Sequence, residues 1–177
     1  MIHNINIAGI SEAANEIKEN PVEANAKYGI ELEWLSGTRS KVRTLPMTIG
    51  EHKVVRDFEF QIDEPNQLLG INSAPNPAEY LLGGLAGCLC VTFITGATLK
   101  GVQIESLKIQ IKGNLDLSYF FGIKEDSHAG FPQLEVNFMI DGEGSREQYE
   151  QLIEKVKKHS PNFCTIKHQV DIDMKLQ

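Results

Sequence analysis

The sequence of 177 residues predicts an α+β fold, with a largely antiparallel sheet around one long buried helix. Near the N-terminus, segments in which apolar and polar residues alternate are joined by links of hairpin length, which indicates antiparallel strands. The segment from Tyr80 to Leu99 contains no charged side chain, which predicts a helix that is buried all round. Alternating segments resume after Gly101, so strands are expected on both sides of this helix.

Three strands are predicted before the helix. In YGIELEWL, apolar residues from Tyr28 to Trp34 alternate with polar ones, as in a half-buried strand. The turn SGTR leads into a second strand from Arg39 to Ile49, which Pro46 marks as an edge or bulged strand. The third strand is DFEFQID, whose two phenylalanines and isoleucine share one face.

A short helix is predicted upstream of these strands, over SEAANEIKE. Ser11 can cap it, and Asn20-Pro21 stops it. The chain is therefore expected to consist of an N-terminal helical extension, residues 1–26, and a single domain, residues 27–177.

Local signals bound the long apolar helix. Asn76 suits the N-cap, Pro77 the first helical position, and Glu79 the first turn, where the helix dipole favours a carboxylate. Lys100 followed by Gly101 is typical of a helix C-terminus.

Further strands and two helices are predicted after the long helix. The capping box Ser145-x-x-Gln148 opens a helix to about His159, and Ser160-Pro161 starts a short second one. The predicted strands are 107–111, QLEVNFMID and, at the C-terminus, HQVDIDMKLQ.

Composition and charge exclude several classes of partner. The net charge of -7 argues against nucleic acid and against a basic helix on a membrane surface. No secretory signal is visible at the N-terminus, so we expect a cytoplasmic protein whose cysteines, Cys88, Cys90 and Cys164, stay reduced. No histidine lies near the first two at ligand spacing, and neither a metal nor a bound cofactor is expected.

A membrane helix is the alternative interpretation of the segment Tyr80–Leu99. Its length is about that of a membrane span, and Gly83 and Gly87 have the spacing of paired membrane helices. Several threonines, the lack of a flanking Lys/Arg cluster and the surrounding strand patterns favour a helix in a soluble core instead. No contact with a membrane is therefore expected.

Three glycines weaken the first half of this helix, namely Gly83, Gly84 and Gly87. An interior glycine costs about 0.5–1 kcal/mol relative to alanine, so together they cost on the order of 2–3 kcal/mol. Close approach of another backbone recovers such a loss, and the helix is too apolar to be covered by one face of one sheet. Both points favour an intimate homo-oligomer, and the alternative is a single subunit that wraps the helix.

Two of the thiols lie on this helix. Cys88 and Cys90 are about 200° apart around its axis, so they cannot both face one pocket. An apolar environment alone favours the neutral thiol, and a reactive thiolate needs a cation from another element. A packing role is the alternative for both cysteines. The arginines are Arg39, Arg43, Arg56 and Arg146.

The segment NPAEYLLGGLAGCL, with IDEP upstream and GVQIESLKIQIKGNLD downstream, resembles the OsmC/Ohr family of organic hydroperoxide resistance proteins. HSPNFCTI near the C-terminus fits the same family, and the resemblance covers roughly residues 28–177. It implies an intertwined homodimer in which two central helices pack together. It also implies thiol-dependent reduction of organic hydroperoxides.

The resemblance assigns the candidate site residues. The reactive cysteine maps to Cys88, and the arginine that stabilises its thiolate maps to Arg39, with Arg43 as the second choice. The family's carboxylate, which orients this arginine, directly follows the Asn-Pro pair. Here Ala78 takes that position and Glu79 follows it, so Glu79 is the candidate.

In the family, a second cysteine at the start of a C-terminal helix closes a disulfide, which an external dithiol then reduces. The sequence departs from the family there: the Cys-Pro pair reads Ser160-Pro161, so Ser160 is the candidate at this position, and serine can cap a helix but cannot form a disulfide. Cys164 lies one turn further along the same helix, so its sulfur could face the same direction. The alternative is that Cys164 is a buried packing residue.

Two functions remain open. The first is a hydroperoxide reductase in oxidative stress defence, in which an external thiol reduces the sulfenic acid formed on Cys88. Apolar neighbours such as Leu81, Leu85 and Phe93 suit an organic hydroperoxide as substrate. The second is a non-catalytic protein that binds a small apolar ligand on the same scaffold, so enzymatic activity itself stays open.

Overall fold

The chain has the mixture of helices and antiparallel sheets that the sequence predicts. A computed structural model describes residues 2–126 and 129–176. They form two compact units: the first is Asn6–Gly83, and the second combines Ile2–Ile5 with the chain from Gly84 onward. The predicted boundary between an extension and a domain, after residue 26, stays a prediction.

The first unit contains an α-helix of 13 residues and two antiparallel sheets of three strands. Its elements are α1 (Ile7–Glu19), β1 (Ala26–Lys27), β2 (Ile30–Ser36), β3 (Arg39–Thr44), β4 (Met47–Ile49), β5 (His52–Val54) and β6 (Glu59–Ile62). One sheet has the order β2-β3-β6, and the other has the order β1-β4-β5.

Two predicted boundaries in this unit are wrong. The strand expected from Arg39 to Ile49 is divided at Pro46, because proline cannot donate to a strand ladder, and its two parts lie in different sheets. Helix α1 begins earlier than expected. The side chain of Asn6 accepts a hydrogen bond from the Gly9 amide and caps the helix, whereas the Ser11 hydroxyl donates back to a carbonyl within it.

A buried carboxylate organises the loop that follows β6. Asp63 is only 1% exposed, and its oxygens accept hydrogen bonds from the Thr38 hydroxyl, from the amide and hydroxyl of Ser73, and from the amides of Glu64 and Ile71. The Ser73 amide contributes most to holding the pKa of Asp63 well below its usual value, and these bonds outweigh the desolvation that raises it. The carboxylate thereby joins the β2–β3 turn to the loop before the long helix.

Asp63→Asn is expected to lower the melting temperature at pH 7 by on the order of 5–10 °C, because an amide cannot accept all of these hydrogen bonds. The folded pKa of Asp63 lies below its usual 3.8, so its contribution to stability is full above that value and is lost as the pH falls below it. The difference between wild type and variant should therefore be largest above pH 4 and shrink as the pH falls from 4 toward 2 in thermal melts. Asp141→Asn makes the same change at an exposed carboxyl and should have little effect at either pH. A pH-independent difference would contradict the assignment.

The long helix, α2 (Pro77–Leu99), has the predicted ends. Asn76 and Glu79 form a reciprocal cap: the Asn76 side chain accepts from the Glu79 amide at 2.9 Å, and the Glu79 carboxylate accepts from the Asn76 amide at 2.8 Å. At the other end, Gly101 has a φ of 68° and allows the Val102 amide to reach the Ala97 carbonyl. Local sequence therefore determines where this helix begins and ends.

The second unit packs helices on a two-stranded antiparallel sheet. Its core lies between α2, the sheet and the helix Arg146–His159. On α2 the core residues are spaced four apart on one face: Leu85, Leu89, Phe93 and Ala97. The further elements are β7 (Ile104–Gly113), α3 (Leu117–Phe120), β8 (Leu134–Gly142), α4 (Arg146–His159) and α5 (Pro161–Lys167).

The described residues bury one face of α2 and leave another open. A Cβ atom added at Gly83 or Gly87 would meet nothing within 4 Å, and Val91 is 67% exposed. The helix is long and apolar enough to cross a membrane, and 28% of its most apolar 18-residue window is buried. Core helices of soluble proteins have the same length and composition. The described chain therefore does not bury this helix completely, and the expected homo-oligomer stays a prediction.

The last predicted strand does not form. None of the described residues in 168–176 belongs to a strand, and Gln177 lies outside the described residues. Here the alternation of apolar and charged residues has no neighbouring strand with which to pair, and a strand needs such a partner for its backbone hydrogen bonds. The apolar residues of the segment are exposed: Val170, Ile172, Met174 and Leu176.

The residues before α1 attach to the second unit through His3. Its Nε2 accepts a hydrogen bond from the Ile104 amide, and its Nδ1 lies 2.8 Å from the Thr98 hydroxyl. That hydroxyl in turn donates to the Ile94 carbonyl. These contacts assign the neutral tautomer with hydrogen on Nδ1. No pattern in the sequence predicts this pairing.

Candidate functional site

The Cys88 sulfur is the centre of the candidate site. Cys88 is half-buried on α2, and its Sγ accepts hydrogen bonds from the Ser160 hydroxyl at 3.2 Å and from the Asn162 amide at 3.5 Å. A main-chain N–H can only donate, so the sulfur must be the acceptor in that contact.

The junction of α4 and α5 positions Ser160. Its amide donates to the Val156 carbonyl at the end of α4, and Pro161 begins α5. Helix α4 is held by Leu152 and Val156, which are buried in the core, and begins at the predicted capping box of Ser145. Ser160 itself is 0% exposed. Ser160 is among the candidates that the sequence offers, but its hydrogen bond to Cys88 was not predicted, because 72 residues separate the two.

Asn162 holds α5 against α2. Its side-chain Nδ2 donates to the Gly84 carbonyl at 2.9 Å, while its main-chain amide donates to Cys88. A side chain at Gly84 would point toward this amide group, at an ordinary contact distance of 3.7 Å. Two different atoms of one residue therefore connect α5 to consecutive turns of α2.

Among the described residues, neither Cys90 nor Cys164 accepts hydrogen bonds like those on Cys88. The Cys164 sulfhydryl lies 3.8 Å from the carbonyls of Lys157 and Lys158, at the end of α4. Cys88, Cys90 and Cys164 are all free, and all are half-buried. One turn of helix separates Cys164 from Ser160, which allowed both side chains to face the same way. The Cys164 thiol instead faces the end of α4, whereas the Ser160 hydroxyl faces Cys88.

Arg39, Arg43 and Glu79 belong to the first unit, and each has a local partner there. Arg39 Nη2 donates to the Ser36 hydroxyl at 2.7 Å, and Arg43 forms an ion pair with Glu31 at 2.6 Å. Glu79 caps α2, as described above. The pairing of a guanidinium with the Cys88 sulfur stays a prediction.

The side chains of the second unit whose pKa values are shifted lie outside the candidate site. The Lys124 ammonium donates to Asp116 at 2.8 Å and, with the Ser118 amide, lowers the pKa of that carboxyl to about 2. The same contact raises the pKa of Lys124. On α4, hydrogen bonding from Lys157 lowers the pKa of Glu154. These are ion pairs of the protein surface.

One group of side chains in the first unit has the composition of a metal site. Ligand atoms of Glu16, Glu23 and His52 lie within 4.8 Å of one another. Glu16 and His52 are exposed, and a Glu23 carboxylate oxygen accepts from the Glu51 amide. Exposed acidic groups commonly lie together without an ion, and this group defines no site by itself. Sequence reasoning missed it because the residues come from three separate elements.

The site and the scaffold define a class of protein: an α+β protein with a cysteine on its central helix. Solved structures share this fold. An OsmC-like protein from Mycoplasma pneumoniae has a TM-score of 0.63 at 20% identity, over 80% of this chain and 87% of that chain. A protein from Legionella pneumophila described as an organic hydroperoxide resistance protein, OsmC, has a TM-score of 0.55 at 20% identity, over 82% and 92%.

A third neighbour is an organic hydroperoxide resistance protein from Elizabethkingia anophelis. Its TM-score is 0.51 at 21% identity, over 76% of this chain and 84% of that chain. Identities of this size establish the shared fold alone.

The chain belongs to the OsmC-like family. The family model described as OsmC-like protein matches residues 70–175, which is more than half of the sequence. A search of curated proteins gives no match. The resemblance seen in the sequence is therefore confirmed.

Proposed function

We propose that this protein is a thiol-dependent reductase of organic hydroperoxides with Cys88 as its peroxidatic cysteine. The observation that carries the proposal is the Cys88 sulfur with two donors, the Ser160 hydroxyl and the Asn162 amide. Membership of a family whose solved members include hydroperoxide resistance proteins supports it. The thiolate is the nucleophilic form of cysteine, and an arrangement that stabilises it favours chemistry.

The reaction proceeds in two stages. The Cys88 thiolate attacks an oxygen of the hydroperoxide, so an S–O bond forms while the O–O bond breaks. The sulfur becomes a sulfenic acid, and the peroxide takes up a proton and leaves as an alcohol. An external thiol then condenses with the sulfenic acid to a mixed disulfide and water, and another thiol releases reduced Cys88 and a disulfide product. No bound cofactor takes part.

An external thiol is proposed because Ser160 cannot resolve the sulfenic acid and the Cys164 thiol is directed at α4 carbonyls. Such a cycle suits a compartment that keeps thiols reduced, and we place the protein in the cytoplasm.

Arg39 is proposed as the cation that stabilises the thiolate, and Glu79 as the carboxylate that orients it. Among the described residues of the first unit, the Arg39 side chain donates to a neutral hydroxyl, whereas the Arg43 side chain is paired with Glu31. This difference favours Arg39, and Arg43 remains the second choice.

We further propose that the protein is a homodimer. The exposed apolar surfaces lie on both units and exceed what scattered surface residues provide. Exposed fractions are 58% for Ile30, 68% for Trp34, 67% for Val91 and 79% for Ile172. A second copy, rather than lipid or nucleic acid, would cover the open face of α2 and could pair with the C-terminal segment.

Replacement of Cys88 by serine tests the proposed chemistry. Cys88→Ser should lower the rate of cumene hydroperoxide consumption in the presence of dithiothreitol by roughly 1,000-fold, because serine is not ionised at neutral pH. Cys90→Ser is the matched control, since Cys90 lies on another face of the same helix and should retain most of the activity. Peroxide consumption that survives in Cys88→Ser would remove the proposed role of this thiol.

An apolar groove in the first unit favours the second candidate function, binding of a small apolar ligand without turnover. The groove has a volume of about 380 Å³ and is lined by Tyr28, Ile30, Leu45, Met47 and Arg56, among others. Wild-type protein that consumes no hydroperoxide, but melts at a higher temperature with small apolar compounds, would support this candidate.

A further inference from the structure

Ser160 occupies the N-cap position of α5 without capping the helix. An N-cap serine normally accepts a hydrogen bond from an amide of the first helical turn, and loss of such a cap is destabilising. Ser160 makes no such bond. Its hydroxyl is directed at the Cys88 sulfur, at 3.2 Å, in a place that solvent does not reach.

The Cys88 sulfur accepts a hydrogen bond that an N-cap side chain would ordinarily accept. The Asn162 amide, which belongs to the first turn of α5, donates to Cys88 Sγ instead of to the Ser160 side chain. A thiolate is a much stronger acceptor than a thiol, since hydrogen bonds to charged groups are roughly twice as strong as neutral ones. Both contacts therefore gain strength when Cys88 loses its proton.

The charged side chains nearby do not replace these donors. Lys157, Lys158 and His159 lie in the last turn of α4, and Lys167 ends α5. Lys157 pairs with Glu154, and Lys167 lies over the Phe163 ring. Among the described residues of the second unit, no charged side chain donates a hydrogen bond to Cys88 Sγ.

We infer that Ser160 is a positioning residue for Cys88, whose hydroxyl stabilises the thiolate and then remains hydrogen-bonded to the sulfenic acid until an external thiol arrives. The inference rests on the proposed function in taking Cys88 as the reacting thiol. A hydroxyl can rotate, so it can donate to the thiolate and either donate to or accept from the oxidised sulfur. A serine at this position therefore assists a cycle in which Cys88 is the one thiol of the protein that reacts.

The pH dependence of alkylation tests this role. In a background of Cys90→Ala and Cys164→Ser, Cys88 is the sole thiol, and its rate of reaction with iodoacetamide follows the thiolate population. Ser160→Ala should lower this rate at pH 7 about tenfold and move the midpoint of the profile upward by about one pH unit. The rate at high pH, where the thiol is fully ionised, should change little.

Thr165→Ala is the matched control. It removes a hydroxyl from an exposed position of the same helix and keeps both donors to Cys88, so the midpoint should stay near that of the background protein. Circular dichroism establishes that each variant is folded. A Ser160→Ala profile that coincides with the background, or an equal displacement in Thr165→Ala, would overturn the inference.

The alkylation assay uses no peroxide, so the two proposals can fail separately. If Cys88→Ser still consumes hydroperoxide while Ser160→Ala moves the alkylation profile, the proposed function fails and the role of Ser160 stands. If the profile does not move while Cys88→Ser is inactive, only the role of Ser160 fails.

Discussion

Ser160→Cys is expected to acquire a disulfide between Cys88 and the introduced thiol when it is treated with an organic hydroperoxide. The Ser160 oxygen lies 3.2 Å from the Cys88 sulfur, so a sulfur at that position is close enough to attack the sulfenic acid. The S–S bond forms as the S–O bond breaks, and the oxygen leaves as water. The wild-type chain has no thiol at this position and should keep its sulfenic acid.

Titration of free thiols distinguishes the two outcomes. The wild-type chain contains three cysteines, and after a single peroxide addition its Cys88 should react with dimedone, which traps sulfenic acids. Ser160→Cys should lose a pair of thiols and show dimedone labelling that is lower by roughly tenfold or more.

Thr165→Cys is the matched control for this variant. It adds a thiol at an exposed position of the same helix and should behave like wild type. A Ser160→Cys protein that is oxidised only to the sulfenic acid would show that the two side chains do not meet as described.

Val91→Glu is expected to convert the protein from a dimer to a monomer. Val91 is 67% exposed and lies opposite the buried positions Leu85, Leu89 and Phe93 on α2. If two such helices pack together there, an unpaired carboxylate would be buried, at a cost of several kcal/mol. Sedimentation equilibrium should give twice the chain mass of 19.7 kDa for wild type and a single chain mass for the variant.

Gln151→Glu adds the same negative charge to an exposed position on α4 and should leave the mass unchanged. The measurement also tests the wild-type assembly directly. A monomeric wild type, or a Val91→Glu protein that remains a dimer at the same concentration, would contradict packing through this face.

The predictions that succeeded rest on interactions between residues close in sequence. The cap formed by Asn76 and Glu79, and the left-handed Gly101, could be predicted because each bond spans only a few residues. The capping box at Ser145 has the same local origin. The family could be predicted because a contiguous motif around Cys88 carries the resemblance, and the family match covers it.

The predictions that failed concern competition between partners. Alternation alone predicted a C-terminal strand, but a strand also needs a neighbour, and the described residues in 168–176 have none. Ser11 is as good a cap as Asn6 by residue type, yet the helix begins at the earlier residue. The carboxylate of Asp63 had no distinctive spacing, because its partners lie in segments on either side of it that folding brings together.

The sequence by itself determined the central helix, its ends, the thiol it carries and the family to which the chain belongs. These properties depend on local capping, composition and a continuous motif, all of which are readable along the chain. Only the tertiary structure decided that Ser160 faces Cys88 instead of capping its own helix, and that one face of α2 is covered while the other is open. The physical reason is that a hydrogen bond between residues 72 positions apart, and the burial of a helix face, depend on how elements pack and leave no periodic signal in the sequence.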